Sequence, residues 1–271
     1  MNFNTFIISL VVVALSFNSN GQEVPNSSQS SLDETGVWAG VYLKLRLSEK
    51  LFYYGEHHYR RRNDLENVGN FVGRMRQSYN RAGLMYIFND YFNVVIGPTL
   101  VANFSPRPGD PNYENITWEP RIWHQWLFSM PSMGRVKVYH QFRFEHRWKK
   151  SNLVGADFDY TNRYRYKLYA YIPINKKTIE NKTLFIAPSA EIFMHTGKSI
   201  VFNPFEDFRI YTGIGYVMNK NITFFGGHMW TIGQNATGYE YSESHIIRLN
   251  VFVNLDLRNH KKIIPHVHME D

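Results

Sequence analysis

The chain has no cysteine among its 271 residues, which excludes disulfides, thiolate metal sites and a cysteine nucleophile. Beyond the first residues it also lacks any uninterrupted apolar run of the roughly 20 residues that a spanning helix needs. If this chain lives in a membrane, it must do so as a closed barrel, because only closure pairs every backbone group of a sheet in lipid. Charge is abundant but scattered. Thirty Lys and Arg against 23 Asp and Glu leave a net charge of +7. No extended basic run and no nucleic-acid motif accompanies that excess, so nucleic acid is not an expected partner.

What is present is alternation. Lys137, Tyr139, Gln141, Arg143, Glu145 and Arg147 alternate with Val138, His140, Phe142, Phe144 and His146. A strand points successive side chains to opposite faces, so this stretch has one charged face and one largely apolar face. The pattern runs for about a dozen residues, near the length of a strand tilted across a bilayer. It recurs in eleven segments: 36–47, 51–60, 74–88, 92–104, 117–129, 134–147, 161–172, 183–194, 207–217, 221–233 and 243–257. Aromatics, 16% of the chain, suit strands and interfacial girdles. Trp126, Phe128, Trp148, Phe88, Tyr91 and Phe92 fall near strand ends, where such girdles belong.

Connections alternate too. Short breaks at Ser48–Lys50, Asn89–Tyr91, Met130–Met133 and Met218–Lys220, with a longer one at Pro173–Lys182, oppose long ones at 61–73, 105–116, 148–160, 195–206 and 234–242. That rhythm fits periplasmic turns and extracellular loops. The expected fold is therefore all-β: an antiparallel transmembrane β-barrel of 10–12 strands, in the outer membrane of a Gram-negative bacterium. Outer-membrane lipid and lipopolysaccharide are its expected partners. A secreted soluble sandwich would instead pack its apolar faces together. Eleven segments conflict with the even count of single-chain bacterial barrels. Either Ile263–Met269 supplies a twelfth strand or the first segment lies outside a ten-stranded barrel. Residues 1–21, with an apolar run from Phe6 to Phe17, read as a signal peptide although no Lys or Arg precedes the run. Residues 22–35 read as a polar lead-in, 36–257 as the barrel and 258–271 as a tail.

The charged face can be paired. A tight turn at 130–133 makes opposed positions sum to 264, so Arg121 faces Arg143 and Glu119 faces Glu145. The diagonals Arg121–Glu145 and Glu119–Arg143 then convert like-charge pairs into a quartet. Arg163 and Arg165 approach it across the next loop, Glu191 lies between Arg165 and Arg209, and Glu56 lies near Lys44. Such a belt either fills a narrow lumen or lines a pore for small anions. Filling is favoured, because unpaired buried charges are costly. His124 and His140 share the pairing sum and face lipid, where a phospholipase or acyltransferase would keep its base. Neither has a Ser or carboxylate on its face at neighbouring positions, and His228 is a third suspect. No catalytic residue is therefore assigned. Asp157 and Asp159 resemble the start of a calcium loop without its later Gly and Glu. His266 and His268 are a weak metal pair. Gly97, Gly213, Gly215, Gly226 and Gly227 read as strand-curvature sites, since no helix follows them to cradle a phosphate. No metal or cofactor is expected.

A strand opening on Trp38, a second strand carrying Tyr54, Glu56 and Arg60, the run YHQFRFEHRW at 139–148 and RYRYKL at 163–168 resemble the bacterial domain-of-unknown-function 2490 proteins over about residues 36–257. The Gly21–Gln22 signal ending is similar to that of the Bacteroidetes members. The resemblance implies an outer-membrane barrel and transfers no catalytic residue.

Overall fold

The computed structural model describes residues 31–258. Twelve strands run along the chain: β1 (Ser31–Arg46), β2 (Leu51–Arg62), β3 (Arg74–Asn89), β4 (Phe92–Phe104), β5 (Ile116–Ser129), β6 (Lys137–Lys149), β7 (Asp159–Pro173), β8 (Leu184–Ile186), β9 (Ser189–Gly197), β10 (Phe205–Val217), β11 (Ile222–Gln234) and β12 (Tyr241–Asp256). No helix occurs among the described residues. The short β8 and longer β9 both lie between β7 and β10 and together form one stave. Ala187 and Pro188 interrupt it, and Pro188 has no N–H to give the ladder.

Eleven staves therefore close the barrel. Consecutive staves are antiparallel, but β1 pairs with β12 in parallel, from Ser31↔Ser242 to Arg46↔Asp256. The expectation of an all-antiparallel, even-numbered wall fails at this seam. An odd number of alternating strands must bring two of like direction together, and fifteen residue pairs make that contact here. The first strand belongs to the barrel and starts at Ser31, inside the expected lead-in. The possible strand at Ile263–Met269, the signal peptide and the tail histidines lie outside the described residues. The strand reversals alternate between two ends: 47–50, 90–91, 130–136, 174–183 and 218–221 lie at a turn end, and 63–73, 105–115, 150–158, 198–204 and 235–240 at a loop end.

Every second side chain faces out. Val41, Leu84, Ile96, Ile122, Ile214 and Leu249 are exposed on the outer wall. Near the turn end Phe88, Phe92 and Phe128 stack in series, with ring centroids 5.2 and 4.8 Å apart. Tyr59, Trp118, Trp148 and Tyr160 are among the exposed aromatics toward the loop end. The wall is also weakened at Pro98. Pro98 lacks an amide hydrogen, and the β3–β4 ladder skips from Arg81↔Thr99 to Leu84↔Ile96. Trp123, pointing inward, donates its indole N–H to the carbonyls of Ala82 and Pro98 at 3.2 and 3.3 Å, answering acceptors that the ladder leaves open. Glycines serve contact as well as curvature: a side chain on Gly215 would overlap the ring of Phe185, its cross-strand partner.

Candidate functional site

The inward face changes character along the barrel axis. In the turn half it is aromatic and aliphatic. Phe52, Tyr54, Met85, Trp123, Leu127, Tyr139, Tyr171, Phe185 and Phe225 belong to one buried cluster. Tyr139 stacks on Tyr169 at 5.0 Å, Tyr42 on Phe252 at 4.8 Å and Phe185 on Phe225 at 5.9 Å. Ile179, from the one long connection at the turn end, packs against this floor from below.

In the loop half the same strands carry charge. Glu145 on β6 is 1% exposed and sits among four guanidiniums: Arg81 at 2.6 Å, Arg121 at 2.8 Å, Arg165 at 3.0 Å and Arg163 at 3.5 Å. Glu56 on β2 contacts Arg81 beside it and Arg143 across the interior at 2.8 Å. Glu119 binds Arg121 at 3.0 Å, Glu191 binds Arg165 at 2.6 Å, and Glu206 binds Arg163 at 2.5 Å and Arg147 at 3.0 Å. Aromatic rings separate the guanidiniums. Tyr79 lies 4.9–5.0 Å from Arg60, Arg81 and Arg121, and Phe193 lies 4.2 Å from Arg209 and 4.5 Å from Arg165. Trp123 joins the two halves, sealing the floor and presenting its ring to Arg81 at 4.6 Å and Arg143 at 5.2 Å.

The nine charged residues expected from sequence thus all reach this region, with different partners in places. The turn at 130–133 is not the tip of its hairpin. Met133 and Val136 exchange hydrogen bonds around Gly134, whose φ is 63°, so the strands extend further and opposed positions sum to 268. Arg121 therefore faces Arg147 instead of Arg143, and Trp123 faces Glu145. A shift of four residues is even and leaves every side chain on its expected face. The Arg121–Glu145 diagonal forms. The Glu119–Arg143 diagonal does not, because Arg143 turns to Glu56 and to Gln125. Glu56 opposes Tyr42, two pairs along the ladder from Lys44, and its carboxylate is engaged by Arg81 and Arg143. Arg209 opposes Glu191 in register but bonds Asp207.

Sequence reasoning missed Arg81, although it sits in phase with the inward Tyr79 and Met85 on β3. It also missed Glu206, which it left in a loop although β10 begins at Phe205.

The same register change separates the two histidines. His124 stacks on Phe144 at 4.7 Å, and His140 opposes Phe128 and meets the Tyr166 hydroxyl at 2.8 Å. They do not face each other. His228 instead contacts His245 on β12 at 2.9 Å, on the outer wall near Trp230 and Glu243. Among the described residues no group of acidic and histidine side chains has metal-site geometry, Asp157 and Asp159 included.

Above the floor the charged layer surrounds a cavity of about 320 Å³. Lys149, Glu206 and Gln234 line both this cavity and a cleft of about 720 Å³ among the loops 150–158, 198–204 and 235–240. The family model described as "Protein of unknown function (DUF2490)" matches residues 35–242. The chain belongs to the DUF2490 family. The matched span of this DUF2490 protein takes in ten of the eleven staves and ends as β12 begins. No curated protein matches it. Among solved structures, the NanC porin in a rhombohedral crystal form is similar at 12% identity, covering 79% of this chain and 91% of that one with a TM-score of 0.47.

Proposed function

We propose that this DUF2490 barrel resides in the outer membrane of a Gram-negative bacterium and works as a blind cup, open to the loop side and sealed on the turn side. The outward face supports the membrane setting: exposed aliphatic residues at mid-wall and aromatic belts toward both ends are what lipid and its two interfaces select. The observation that carries the cup reading is the change of filling along the axis. A through-pore needs a continuous wet path, whereas the turn half is occupied by stacked, buried rings with Ile179 beneath them. The charged half has the shape of a binding chamber, walled by a paired Arg/Glu network and reached through the loop cleft.

A small-anion channel is the competing reading, favoured by the cationic excess of the chamber. Planar-bilayer recording separates the two. The cup predicts heat-modifiable gel migration, recovery with outer membranes and no steady conductance from the refolded protein. Stable, anion-selective conductance steps would replace the cup with the channel. A soluble periplasmic monomer obtained without detergent would remove both. For lipid modification, among the described residues neither His124 nor His140 contacts a Ser hydroxyl or a carboxylate.

A further inference from the structure

We propose that the chamber binds a small, multiply charged phosphate-type oxyanion, held between Arg60 on β2 and Lys149 on β6. This deepens the cup reading and rests on its access from the loop end. The first observation is charge balance. Twelve Lys and Arg side chains line the cavity against five carboxylates. Glu145, bonded to Arg81, and Glu34, bonded to Arg76, raise the carboxylates to seven. Five positive charges remain. A belt whose only task was to fill the barrel would approach neutrality, since each uncompensated charge in a low-dielectric interior is costly.

The second observation is where the excess lies. Among the described residues Arg60 has no carboxylate within ion-pair distance. It donates to Gln77 at 3.0 Å and lies over the Trp38 ring at 4.0 Å, and its buried Nε has no acceptor. Arg209 and Arg76 crowd the same ring at 5.4 and 5.8 Å. On the β6 side Arg147, 2% exposed, spends one nitrogen on Glu206 and leaves Nε and Nη2 without acceptors. Lys149, two residues on, lines both the cavity and the loop cleft, so it stands on the path of an incoming anion.

The ligand class follows from these features. A monoanion would neutralise one charge of five. Guanidinium forks match the paired oxygens of phosphate and carboxylate. A volume of about 320 Å³ is at the lower end for small-molecule sites, which points to a compact solute or a single headgroup rather than a polymer. The phosphate can arrive as a free solute or on a lipid headgroup.

The test uses the full refolded barrel in neutral detergent at low salt, with calorimetric titration and the temperature of heat-modified gel migration as readouts. One arm adds inorganic pyrophosphate and the other adds micelles of bisphosphorylated or dephosphorylated lipid A. Chloride at matched ionic strength controls for screening. Saturable pyrophosphate binding with a raised unfolding temperature is the expected result. A response to bisphosphorylated lipid A alone also supports the site and assigns the headgroup as source. The Arg60→Gln/Lys149→Gln variant should fold, because neither residue makes an ion pair, and should lose at least about tenfold in affinity. Lys220→Gln, at the turn end, should keep it. Failure of both phosphate sources to bind, or equal binding by the double variant, overturns the proposal. Conductance in a bilayer would overturn the cup and leave the detergent binding result to stand or fall alone.

Discussion

Strand β6 crosses both halves of the interior within nine residues. At one end Tyr139 stacks on Tyr169 and touches Tyr171 edge-on, a contact set by ring shape and area. Six positions later Glu145 is held by four arginines, a contact set by charge. The turn half gains stability from burial, which is non-directional and indifferent to which apolar group supplies the area. The loop half gains it from matched charges, and removing one shared carboxylate strands several guanidiniums. The barrel thus places its tolerant filling in the turn half and its exacting filling in the loop half.

That contrast predicts an order of effects. Glu145→Gln changes almost no volume but leaves Arg81, Arg121, Arg163 and Arg165 without their shared carboxylate. Urea unfolding in detergent should show a loss of about 3–5 kcal/mol, and a loss near zero would show that the belt is not a coupled unit. Gly215→Ala drives a methyl group into the Phe185 ring and should cost about 1–3 kcal/mol. Reducing that ring in the Gly215→Ala/Phe185→Leu variant should recover part of the loss, which a backbone effect alone would not allow. Met85→Leu, a volume-conserving change in the floor comparable to the Glu145 substitution in size, should cost less than about 1.5 kcal/mol by the same titration. A larger loss would mean the floor is as exacting as the belt. Smallest of all, His124→Ala/His140→Ala on the outer wall should shift stability by no more than about 0.5 kcal/mol. Phospholipid turnover in mixed micelles should stay at background for both proteins, and turnover lost on substitution would reopen the enzyme reading.

Much of the wall can be read from alternation alone. Trp38, Tyr42, Lys44 and Arg46 face in and Ala39, Val41 and Leu43 face out as the period of two requires, and β4, β6 and β12 follow suit. Even the four-residue error in the β5–β6 register kept its faces. What alternation does not carry is distance around the barrel. The Glu56–Arg143 contact joins residues 87 apart in sequence, across the interior, and no local pattern marks it. The same holds for the seam: parallel pairing of β1 with β12 depends on the total number of staves, to which every segment contributes and none announces. Glu206 shows a third limit, because a strand's first residues carry too few alternations to stand out from the loop before them.

The seam also constrains what this architecture can become. β1 enters at the loop end and β12 leaves at the turn end, so no short linker joins them without passing through the chamber and its floor. Circular permutation by joining β12 to β1 is closed to this barrel. Hairpins can still be duplicated or deleted, but each adds or removes two staves and leaves the count odd. The parallel seam is therefore a conserved quantity under the commonest way such walls grow, and only the gain or loss of a single strand can erase it.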